Sequence, residues 1–63
     1  MNRNKAIREL TKGIGVEIDN LFKEDDSTQK GSVTCIKIEN LEQAQGMLFE
    51  VIKTLDVVEK LKV

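Results

Sequence analysis

Cys35 is the one side chain here that could attack an electrophile as a thiolate, and Lys37 stands two positions on. A neighbouring cation favours the thiolate form. A nucleophile also needs a base beside it, and the sequence has no histidine. Cys35 lies in an apolar run, where cysteine commonly serves as a small packing residue. Eleven acids could in principle supply a carboxylate pair. None stands in a context that marks it as a general acid or base, and a chain of 63 residues leaves little room for a substrate cleft. No enzymatic activity is expected.

Metal and phosphate chemistry fare no better. A calcium loop begun at Asp26 sets Gly31 correctly at its sixth position. Lys30 and Lys37 then fall where an oxygen donor and a glutamate are required. A zinc site lacks ligands, with one cysteine and no histidine. Gly13-Ile14-Gly15 has two glycines of a phosphate-binding turn but lacks the third. No cofactor is expected.

What remains are charged surfaces. Lys5, Arg8 and Lys12 are spaced three and four apart and share one face of a helix. They could meet phosphate or an acidic protein surface. No aromatic residue accompanies them for base stacking. Glu24, Asp25 and Asp26 form an acidic cluster that could meet a basic surface. With a net charge of -1, the chain lacks the basic excess of a general nucleic-acid binder.

The elements that carry these residues divide the chain in three. Ala6, Ile7, Leu10, Ile14, Ile18, Leu21 and Phe22 fall within roughly 160° of arc at 100° per residue, which predicts an amphipathic helix over residues 2–24. Gly13 and Gly15 weigh against it, since each costs about 1 kcal/mol in a helix interior. Ile14, Val16 and Ile18 also alternate with polar or small residues. An alternative is therefore a short helix ending at Lys12, then a strand from Ile14 to Phe22 that pairs in a β-hairpin. Residues 25–31 read as a loop. Residues 32–39 read as a strand, because Val33, Thr34, Cys35, Ile36 and Ile38 have high β propensity. Residues 40–62 read as a long helix with Asn40 as its cap and Gln43 completing a capping box. Leu41, Leu48 and Leu55 are seven apart, as are Ala44, Val51 and Val58, which makes a coiled-coil-like seam. Lys60 and Lys62 suit the end of that helix. Phe49, Val57 and Leu61 widen its apolar surface beyond one neighbour's reach.

The expected architecture is thus mainly α within an α+β class: helix, loop, strand, helix, as one domain over residues 1–63. A lone strand needs a partner for its backbone groups, so a homodimer with an intersubunit strand pair follows. Size points the same way, since a domain this small buries a marginal core and a single cysteine closes no intrachain disulfide. Ile36, Ile38, Leu41, Leu48, Phe49, Val51, Leu55 and Val58 are the candidates for self-association or partner binding. Lys5, Arg8, Lys12, Glu24, Asp25 and Asp26 are the candidate charged contacts.

No apolar run approaches the ~18 residues of a membrane span, and no apolar stretch follows the basic start at Arg3 and Lys5 as a secretory signal requires. A lone cysteine suits a reducing compartment, so a cytoplasmic protein is expected. Abundant lysine, isoleucine and asparagine fit an AT-rich genome, and the small size fits a phage or mobile element. The functional expectation is a small protein-binding module, a regulator or inhibitor of another protein. The alternative is a dimeric nucleic-acid-binding regulator using the basic face of the first helix.

Overall fold

The computed structural model describes Arg3 to Leu61; the expected helix ends at Asn2 and Lys62 lie outside those residues. Two helices form a hairpin: α1, Arg3–Phe22, and α2, Val33–Leu61. They are joined by a turn over residues 23–32.

The helix α1 runs unbroken through Gly13 and Gly15, so the strand of the alternative reading does not form. Its inner face is Asn4, Ile7, Thr11, Ile14, Ile18 and Leu21, all buried or half-buried. The spacing alternates three and four, which keeps one stripe facing a neighbouring helix. Two of the six are polar, and this hides the stripe from an apolar count. Thr11 is buried and donates its hydroxyl to the Ile7 carbonyl at 2.8 Å. Its polar group is thereby satisfied within the helix, and its methyl is left for packing.

The predicted strand over residues 32–39 is not formed, and no strand occurs among the described residues. The same residues are the first two turns of α2. Two local features outweigh their β propensity. Ser32 caps the helix: its Oγ accepts from the Cys35 amide at 3.0 Å, the usual N-cap geometry. The inner face of α2 also starts there, at Thr34 and Ile38, and continues through Leu41, Gln45, Leu48, Ile52 and Leu55. That stripe follows the same three-and-four spacing. Cutting it at Asn40 would discard Ile38, one of the most deeply buried side chains at 4% exposure. Asn40 is accordingly an exposed residue inside the helix and not its cap. With the strand gone, the intersubunit strand pair goes too.

The turn accounts for its own polar groups. Ser27 is buried, and its Oγ donates to the Phe22 carbonyl at 3.0 Å. The Lys23 and Glu24 amides donate to the Asn20 and Leu21 carbonyls at 3.2 and 3.1 Å. These bonds satisfy acceptors that a helix end leaves open. Gly31 has φ of 84°, a left-handed conformation that glycine adopts without strain. It lets the chain reverse immediately before the Ser32 cap.

The hairpin is one helix thick. Its principal extents are 51 × 19 × 11 Å and its radius of gyration is 14.9 Å, against about 10.6 Å for a compact domain of this length. Among the described residues the buried apolar side chains are Ile18 and Ile38.

Candidate interaction surfaces

The hairpin fixes which residues share a side. Gly15 of α1 stands against Gln45 of α2: a Cβ on it would lie 3.1 Å from the Gln45 amide nitrogen. The helices are antiparallel, so Leu10 is about level with Val51.

One side of the hairpin is apolar. It carries Leu10 from α1 and Met47, Val51 and Val58 from α2, which are 56, 68, 43 and 50% exposed. Met47, Val51, Thr54, Val58 and Leu61 repeat at four, three, four and three residues. This second stripe lies roughly 110° around α2 from the inner one at 100° per residue. Thr54 fits an apolar surface, because its hydroxyl donates to the Glu50 carbonyl at 3.0 Å. On α1 the same side holds Ala6, Leu10 and Gly13, with Arg3 at one end and Glu17 at the other.

The opposite side is mixed. A shallow groove between the helices is lined by Arg8, Thr11, Lys12, Gln45, Phe49 and Ile52. Arg8 makes a two-pronged pair with Asp56, its Nη2 donating to Oδ1 at 3.0 Å and Oδ2 at 2.9 Å. The side chains are 54% and 45% exposed, so the pair orients the helices more than it stabilises them.

The candidate partner face divides in the structure. Leu41, Leu48 and Leu55 are half-buried in the inner seam, with Ile38 buried beside them, whereas Ile36, Phe49, Val51 and Val58 are exposed. Phe49 lies on the mixed side, away from Val51 and Val58. The sequence sets Phe49 outside the main stripe and does not separate the inner seam from the outward face. Sequence reasoning missed Leu10 and Met47 as members of an outward surface, although the spacing of Met47, Val51 and Val58 signals it.

The charged candidates also divide. Lys5, Arg8 and Lys12 share the outer flank of α1, and Arg8 is committed to Asp56. Glu24 and Asp25 are exposed in the turn. Asp26 is half-buried, and its backbone carbonyl accepts from the Ser32 hydroxyl at 2.7 Å. Its position thus has a local structural use. Cys35 donates to Glu39 Oε1 at 3.7 Å. Lys37, two residues on in a helix, points elsewhere, so the cysteine's neighbour is a carboxylate and not a cation that would favour the thiolate.

Among the described residues no group of three or more metal-binding side chains comes together. No helix there is long and apolar enough to cross a membrane. Comparison with family models, curated proteins and solved structures gives no match.

Proposed function

We propose that this chain is a small non-enzymatic protein-binding module, a helical hairpin whose apolar side is completed by further polypeptide. The observation that supports this most is the outward stripe of Met47, Val51 and Val58 with Leu10 beside it, all more than two-fifths exposed. Apolar side chains on one side of a thin molecule mark an interaction surface. Binding of this kind uses residues three and four apart on a helix as anchors, which is the spacing here. The role that fits a module without catalytic groups is that of a regulator or inhibitor of another protein. A reducing, cytoplasmic setting suits its lone thiol.

A photo-crosslinking side chain placed at Val51 tests this in cells expressing the protein. The expected result is a discrete polypeptide adduct, absent when the probe sits at Glu50 on the other side of the helix. No adduct at Val51, or equal adducts at both positions, would overturn the reading. The nucleic-acid alternative depends on Lys5, Arg8 and Lys12, of which Arg8 is already paired. It predicts binding to mixed duplex DNA at ~50 mM salt that falls steeply as salt rises.

A further inference from the structure

The apolar side has features that specify its occupant, and we infer that a second copy of this chain docks there, antiparallel, to form a four-helix bundle. This rests on the proposal above that further polypeptide covers that side, and it commits to which one.

The first argument is area. The chain exposes 5188 Å², whereas a compact protein of 7.1 kDa exposes about 4,100 Å². The surplus is roughly 1,100 Å². A specific interface of standard size covers about 800 Å² per partner, and homodimers cover more. One copy placed face to face on another removes the surplus.

The second argument is charge. The helix α1 has no acid in its first turn and no base in its last, while Arg3 and Lys5 stand at its start and Asp19 near its end, an arrangement that its own dipole disfavours. Arg3 and Glu17 stand at the two ends of its apolar flank. A two-fold axis crossing the hairpin at the level of Leu10 sets residue 3 of one copy opposite residue 17 of the other. Each α1 then lies antiparallel on the other α1, with Arg3 facing Glu17 twice by symmetry. The dipoles of the two helices oppose as well.

The third argument is the far end of α2. Val58 and Leu61 there are 50% and 73% exposed. The same axis passes at the level of Val51, so each α2 lies antiparallel on the other α2. Val58 then meets Ala44 of the second copy. The rival two-fold axis, parallel to the helices, stacks α1 on α2. It pairs neither Arg3 nor Glu17. Charge thus selects the first axis.

Single cysteines in a Cys35→Ser background test the geometry on the full chain. At Val51, on the axis, oxidation is expected to give mostly a disulfide-linked dimer. At Val58, whose counterpart is Ala44, it gives only a trace. Equal linking at both, or closure only when chains carrying Leu10→Cys and Val51→Cys are mixed, would overturn this arrangement. Sedimentation measures the association itself. Glu17→Lys is expected to weaken the dimer about tenfold, and adding Arg3→Glu to restore it. Absence of restoration counts against the axis. Val51→Asp, which sets two carboxylates together on the axis, separates the copies. A native chain that is folded and monomeric throughout the micromolar range refutes the second copy. The protein-binding reading survives that result if Val51 still crosslinks to a different polypeptide, and falls if it crosslinks to none.

Discussion

The two ends of the hairpin are built differently. Towards the turn end Ile18, Ile38 and Ser27 are buried. Ser32 Oγ donates to the Asp26 carbonyl and accepts from the Cys35 amide, while Ser27 closes the end of α1. At the open end Arg8 pairs with Asp56, and both side chains are about half exposed. Val57, Val58 and Leu61 lie bare beyond it. The turn end is thus held by burial and short-range hydrogen bonds within the chain. The open end has the apolar residues of a core without the layer that would bury them. A hairpin can be specified locally at its turn and still leave apolar side chains exposed along its length.

That contrast makes graded predictions. The largest effect is expected for Ile38→Ala at the turn end. Truncating a buried isoleucine costs about 2–5 kcal/mol, a large part of a small domain's stability. Urea unfolding followed by circular dichroism reads it. Ile7→Ala, half-buried towards the open end, should cost less, and the contrast fails if the two are equal. Next is Ser32→Ala, which removes the α2 cap and the bond to Asp26. The expected loss is about 1–2 kcal/mol, accompanied by faster amide exchange at Cys35. Smallest is Asp56→Asn at the open end, with an effect below about 0.5 kcal/mol that vanishes in high salt. A cost above that of Ser32→Ala would mean that the open end, and not the turn, holds the hairpin together.

Much of this was legible beforehand, and the failures have physical causes. The stripe from Ile7 to Leu21 reveals α1 despite its glycines, because tertiary packing outweighs their intrinsic cost. The long helix at Leu41, Leu48 and Leu55 was equally visible. Its first two turns were not. Val33, Cys35, Ile36 and Ile38 look like a strand, and Asn40 followed by Gln43 looks like a cap. What decides against the strand is Ser32, whose hydroxyl serves both the turn and the helix. The inner seam was further obscured by Thr11, Thr34 and Gln45, polar residues at packing positions. The candidate surface was named in part: Val51 and Val58 belong to it, Leu41 and Leu48 pack within the hairpin, and Phe49 faces the other way. Separating them needs the position of α1, which no single helix's periodicity contains.

A molecule one helix thick, 11 Å in its shortest dimension, has consequences for how substitutions are tolerated. No position on α2 is screened from outside by a second layer, so each face of the helix is constrained by whatever touches it and by nothing else. A saturation scan of α2 should therefore resolve into two interleaved periodic traces. One follows Ile38, Leu41, Leu48 and Leu55 and reports the hairpin. The other follows Met47, Val51, Val58 and Leu61 and reports whatever lies across from them. If another chain covers that stripe, the place where the second trace fades marks where that chain ends, and tolerance along this one helix measures the length of its surface.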